Sequence, residues 1–144
     1  MIGDLVEYHA DHACAILNEG SGSAAHLWSE QAKIIEKHAG GVTLIIDSKP
    51  VVCTGLIEMW ENCAEAWVIA SGNIIHTPVS IARAMKRGLQ ERILNDDYDR
   101  VQANVRADWP TAIRFAEFVG MKREGLMRRF GPEGADYVRF AWVR

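Results

Sequence analysis

At 144 residues, about half of them apolar, the chain is long enough for one domain with one core. Its longest apolar run falls far short of the ~20 residues that a membrane-crossing helix needs. Its formal charge of −3 and its scattered basic residues exclude the footprint of a nucleic-acid-binding domain.

A short strand opens the chain, and "YHADHACAILNE" then carries apolar residues at helical spacing. The segment "GSGS", Gly20 to Ser23, breaks that helix as a flexible connector. In "AAHLWSEQAKIIEKHAGG" the residues Leu27, Trp28, Ile34 and Ile35 lie toward one side, and Gly40-Gly41 supplies the stop of a second helix. "VTLIIDSKPVVCTGLIEMWEN" reads as two β-branched strands joined by a turn at Asp47 to Pro50, and "AEAWVIAS" as the third strand of that meander. Thr77 can cap and Pro78 can open the next helix, with Ile81, Met85, Leu89 and Ile93 on one stripe. Its polar face carries Arg83, Lys86, Arg87, Gln90 and Glu91. "RVQANVRAD" alternates as a half-buried strand does. "WPTAIRFAEFVGM" then opens on Pro110, stripes Ile113, Phe115, Phe118 and Val119, and stops at Gly120. Two strands around "GPEGAD" end the chain. The predicted order is strand, two helices, three strands, helix, strand, helix, two strands.

The chemistry-bearing residues each have a bland reading and a functional one. Cys14, Cys53 and Cys63 are an odd set without metal-ligand spacing, so reduced thiols are expected, two of them in the core. Cys53 in "PVVCTGLI" reads as a buried, inert thiol. His9 and His12, three apart with no further spaced ligands, do not make a metal site. Residues 1–70 hold ten acids and three bases, residues 71–144 nine acids and thirteen bases, so the second half is the one suited to an anionic ligand. Within "AEAWVIASGNIIHTPVSIARAMKRGL" a strand hands over to a helix, a place where bare amides face an anion. His76 lies in that turn, either as a loop histidine or as a phosphate contact or base. Arg83, Lys86 and Arg87 either form the wet face of their helix or reach a phosphate. Of Trp60, Trp67, Trp109 and Trp142, at least two are expected in the core, the others lining an acceptor pocket or a partner surface. "MIGDLVEYHADHA" lacks a positive segment, an apolar one and a cleavage site in series, so a cytoplasmic address is expected.

This element order, closing on "RFAEFVGMKREGLMRRFGPEGADYVRFAWV", resembles the GNAT superfamily of acyl-CoA N-acyltransferases, and within it the small GNAT-like proteins encoded by bacteriophages, some of them virion components. The resemblance implies an α+β fold, a single GNAT-like domain over residues 1–144 whose mixed central sheet is splayed between the fourth and fifth strands and flanked by helices. It implies acetyl-CoA as cofactor and a primary-amine acceptor, while the residue spacing, charge and apolar runs already read give no metal and no nucleic-acid or membrane partner. Pantetheine would pair with the fourth strand, here Trp67, Val68, Ile69 and Ala70. The diphosphate would rest on the turn of Gly72, Asn73, His76 and Thr77, with Arg83 within reach. Glu65 and Glu58, at the ends of central strands, are the candidate bases, Glu65 because it begins the strand lining the acceptor.

The sequence departs from the family pattern in two places. No Q/R-x-x-G-x-G/A loop stands in "SGNIIHTPVSIARA", where Pro78 removes an amide. Trp109 and Ala116 occupy the places of the family's asparagine and of the tyrosine that protonates the departing thiolate. The departures keep a second reading open, a GNAT-shaped structural or binding component of a phage particle that joins other virion or protein subunits through an apolar patch.

Overall fold

The computed structural model describes residues 3–19, 24–70, 79–131 and 134–144. In chain order the elements are β1 (Gly3–Glu7), α1 (Ala10–Glu19), α2 (Ala24–His38), β2 (Val42–Ile46), β3 (Lys49–Trp60), β4 (Cys63–Ala70), α3 (Val79–Asn95), β5 (Arg100–Arg106), α4 (Pro110–Phe118), β6 (Lys122–Met127) and β7 (Tyr137–Val143). This is the order expected from the sequence. The strands hydrogen-bond in the order β1-β2-β3-β4-β5-β7-β6. β4 and β5 run parallel, with α3 as the crossover that a parallel pair requires, which makes a mixed α/β fold. By its contacts the chain divides into one compact unit of Met1–Ile57 with Trp67–Thr77 and another of Glu58–Ala66 with Pro78–Arg144. Among the described residues no helix is long and apolar enough to cross a membrane.

In the first unit, β2 and β3 form a hairpin whose turn is Asp47-Ser48, both at positive φ (51° and 65°). Such a two-residue turn twists in the same sense as its strands. The turn is therefore shorter than the sequence suggests. Pro50 lies inside β3, opposite Ile45 and next to a register irregularity, where a missing N–H disturbs the ladder least. α2 ends at Gly40, at φ 70°, and the amides of Ala39 and Gly40 both reach the carbonyl of Ile35. The core gathers Tyr8, Ala10, Ala13, Ile16, Ala32, Ile35, Cys53 and Ile69, with Trp67 packed against it. Tyr8 donates its hydroxyl to the Ala32 carbonyl at 2.8 Å, and burial first of all pushes its phenol up to about 12. One expectation fails here: Ile34 is exposed, because the turn of the helix sends Ala32 and Ile35 inward instead. The side chains of Leu27 and Trp28 lie outside the described ones.

In the second unit, β5 pairs with β7 over its whole length, from Arg100↔Val143 to Arg106↔Tyr137, and β6 covers the other edge of β7. Val101, Val138 and Phe140 are fully buried, and α4 packs on β5 and β6. Pro110 opens α4, and Gly120 at φ 101° ends it, with the Met121 amide reaching back to Ala116. Phe118 was expected on the inward stripe. It is 39% exposed and holds the Lys86 ammonium 5.2 Å from its ring centroid, while the smaller Ala116 turns inward. At least two of Trp60, Trp67, Trp109 and Trp142 are expected in the core, but none is fully buried and only Trp67 packs against the first unit's core among the described residues. Tyr8, Tyr98 and Phe140 supply the buried aromatics instead, in keeping with how seldom an indole loses all contact with water.

Within the second unit the parallel ladder runs from Cys63↔Arg100 to Ala66↔Ala103.

Candidate functional site

Strand periodicity puts Arg100, Gln102, Asn104 and Arg106 on one face of β5. Register extends that face to Glu65 on β4, opposite Gln102, and to Arg139 on β7, opposite Asn104. Arg100, Gln102, Asn104, Glu65 and Arg139 form one hydrogen-bonded network within the second unit. Oε1 of Glu65 accepts from Nε2 of Gln102 at 3.2 Å and from Nδ2 of Asn104 at 3.0 Å. Oε1 of Gln102 accepts from Nε of Arg100 at 3.0 Å, and Oδ1 of Asn104 accepts from Nε of Arg139 at 3.2 Å. Each amide therefore stands between a carboxylate and a guanidinium. Turned over, either amide would set its carbonyl against the carboxylate and its NH2 against the guanidinium, so the charges dictate the orientation of both.

The network closes differently at its two arginines. Both terminal nitrogens of Arg100 fork onto Glu124, at 3.0 and 2.5 Å. That hydrogen bonding holds the Glu124 carboxyl below the usual carboxylate range, with attraction from Arg100 and Arg139 adding to it, and raises the Arg100 guanidinium. Among the described residues Arg139 bonds through its Nε alone, to Asn104. Gln102, 6% exposed, also reaches the Met59 sulfur at 3.6 Å. Its burial makes it the anchor: a buried amide must satisfy both its ends, and here Glu65, Arg100 and Met59 do so. Both bonds to Glu65 converge on Oε1, and among the described residues Oε2 has no hydrogen bond. An ionised carboxylate so held can accept a proton on an oxygen that is positioned but unspent.

Of the two carboxylates expected to act as base, the structure brings only Glu65 into this network. Glu58 lies on the exposed end of β3 and has no hydrogen bond among the described residues. It acts on the Tyr98 phenol, which burial raises first and the charges of Asp96 and Glu58 raise further.

The expected cofactor strand has a mixed character. The indole of Trp67 meets the Tyr8 ring edge-on at 4.9 Å and lies over Gly41 and Gly55. A Cβ on Gly41 would stand 2.8 Å from Cζ2 of Trp67, and one on Gly55 2.9 Å from its Nε1. Among the described residues that buried Nε1 has no hydrogen-bond partner. Thr54 donates its hydroxyl to the Trp67 carbonyl at 2.8 Å. Val68 is exposed, Ile69 buried and Ala70 half-buried. Gly72, Asn73, His76 and Thr77, expected to hold a diphosphate, lie outside the described residues, as does Pro78. Arg83 and Arg87 are exposed on α3.

The remaining candidates have local roles. Cys53 is buried, bonded to Thr43 at 3.4 Å, and its thiol is pushed up by burial, the opposite of what a nucleophile needs. Nδ1 of His12 accepts from the His9 amide at 3.3 Å and meets the Thr43 hydroxyl at 2.8 Å, ordering the start of α1. Among the described residues no group of three or more His, Cys, Asp or Glu side chains is arranged to hold a metal.

Gln102, Asn104 and Arg139 were not singled out from the sequence. The available signal was the run of Arg100, Gln102, Asn104 and Arg106 at alternate positions, a polar face richer in amides than a merely wet strand face needs. Nothing local pairs that face with Glu65, 37 residues from Gln102.

No family model matches the chain, and no curated protein matches it in sequence. Solved structures do match it in fold. A GNAT-family acetyltransferase from Streptococcus pneumoniae superposes with a TM-score of 0.71 at 10% identity, covering 99% of both chains. The ribosomal-protein-S5-alanine acetyltransferase of Vibrio fischeri does so with 0.68 at 11% identity, over 98% of this chain and 92% of its own. A mutant form of the spermidine/spermine N-acetyltransferase of Vibrio cholerae gives 0.64 at 16%, over 99% and 95%. At such identities the likeness establishes the fold alone.

Proposed function

We propose that this chain is an acyl-CoA-dependent N-acyltransferase acting on a primary amine, with Glu65 as its base. The fold it shares with GNAT acetyltransferases sets the frame. The observation that carries the reading is Glu65: a carboxylate next to the last residue of the β4–β5 ladder, oriented by two amides on one oxygen and unspent on the other. The coenzyme would lie along Trp67–Ala70 of β4, since an extended ligand can add to a strand through the main chain.

When bound, acetyl-CoA would supply a thioester, whose carbonyl carbon takes the new C–N bond as its C–S bond breaks. The acceptor arrives as an ammonium. Glu65 removes one proton, directly or through water, and passes it to solvent; the amine's second proton leaves with the thiol, so the balance is one amide, one thiol and one released proton. Gln102 and Asn104 keep the carboxylate aimed, and Arg100 and Arg139 keep the two amides from turning over.

A calorimetric titration with acetyl-CoA and a thiol-release assay across simple amines test the reading. Glu65→Gln keeps the acceptor oxygen and the shape but removes the base, so kcat/KM should fall by about 10²–10⁴-fold while coenzyme binding persists. No heat at millimolar acetyl-CoA would end the proposal. A second reading, a non-catalytic component of a phage particle, is favoured by one observation. α4 contains no tyrosine, and buried Ala116 stands where the resemblance places it. Absence of the polypeptide from purified particles of its source phage would dismiss that reading.

A further inference from the structure

Resting on the reading above, we infer that the acceptor is a zwitterion, an amine that also carries a carboxylate, and that Arg139 is the residue that binds the carboxylate. The two charged groups such a molecule needs share one face of the second unit. Glu65 on β4 and Arg139 on β7 reach toward β5 from either side and meet at the amide of Asn104, 3.0 Å from the carboxylate oxygen and 3.2 Å from the guanidinium Nε. One amide group therefore separates a site for an ammonium from a site for an anion. With hydrogen bonds of about 3 Å at each end, that interval suits the short N-to-carboxylate span of a small amino acid.

The two arginines of the network differ in what they have left to give. Arg100 has spent its fork on Glu124 and its Nε on Gln102. Arg139 is half-buried, and among the described residues its two terminal nitrogens have no hydrogen-bond partner. A guanidinium partly withdrawn from water with its planar fork unpaired fits a carboxylate two-point and rejects a cation. Glu124 is the competing anion, since it feels Arg139, but both of its oxygens are taken by Arg100. A polyamine, the acceptor named for the Vibrio cholerae relative, would bring further positive charge against both guanidinia. Sequence alone gives Arg139 no distinction from the twelve other basic residues of the second half.

The test compares matched acceptors in the thiol-release assay: glycine and β-alanine against their amides, with spermidine alongside. The carboxylated amines should exceed their amides in kcat/KM by about 10-fold or more, the worth of a charge-assisted bond. Arg139→Ala should bring that ratio close to one, mainly through KM, and Arg139→Lys should restore part of it. Calorimetry of glycine against glycinamide on the wild-type protein saturated with coenzyme A gives a readout free of turnover and of any folding defect; heat from glycine alone is the expected result. Equal heats, or turnover favouring the amides or spermidine, would overturn the zwitterion and leave the acyltransferase standing. Failure to bind acetyl-CoA at all would overturn the acyltransferase reading and this inference with it.

Discussion

Replacing Tyr8 by phenylalanine should cost stability at neutral pH and cost nothing near pH 11. The phenol is 2% exposed and donates to the Ala32 carbonyl at 2.8 Å. Phenylalanine fills the same space, and the carbonyl keeps its own helical bond, so the loss at pH 8 is that of one net hydrogen bond, about 1 kcal/mol. The wild-type phenol titrates at about 12 in the folded protein against 10 unfolded. The folded state therefore holds its proton over a window in which the unfolded chain has released it, and stability falls as pH rises above 10. At pH 11 the two protonation equilibria differ by close to one decade, worth about 1.4 kcal/mol before screening and about 1 after it. The phenylalanine variant has no such loss, while every other titrating group contributes alike to both proteins. Urea unfolding at pH 8 and pH 11 should show the variant's deficit closing to near zero. A deficit unchanged between the two would refute the buried, proton-retaining role given to Tyr8.

Gly41→Ala would place its Cβ 2.6 Å from the Thr54 carbonyl oxygen as well as against Trp67, and a backbone atom cannot swing aside. A destabilisation of about 1–3 kcal/mol is expected, read as a fall of several degrees in Tm, and an unchanged Tm would contradict the close approach. Asp47→Asn with Ser48→Gly matches the left-handed backbone of that turn and should raise stability by about 0.5–1 kcal/mol in thermal unfolding. Arg100 depresses the Glu124 pKa from its ordinary 4.5, so this pair stabilises the protein above that pH and the contribution is lost as pH falls through the folded value. Glu124→Gln should flatten the acid limb of a stability-against-pH curve; a limb as steep as in the parent would show that the pair contributes nothing measurable.

Much of the architecture was legible in advance because its signals are local. Period-two and period-3.6 apolar spacing, Pro110 at the start of α4 and Gly40 and Gly120 beyond helix ends state each element within a few residues of itself. Glu65 stands out in the sequence as a carboxylate at the start of a predicted strand; in the structure it is the third residue of β4, which begins at Cys63. Errors arose where one face had to be chosen from a pattern that allowed several. Ile34 and Phe118 are apolar and near the inward stripe, yet smaller neighbours turn inward in their stead. The tertiary structure alone decided which carboxylate is held and by what. Glu65 meets Gln102 and Asn104 because a parallel crossover through α3 sets β4 against β5, and Arg139 joins them because β7 pairs antiparallel with β5. Register between strands distant in sequence is a property of the assembled sheet. A single strand determines which side chains share a face, but which faces of other strands lie alongside is settled only when main-chain hydrogen bonds lock the ladders together.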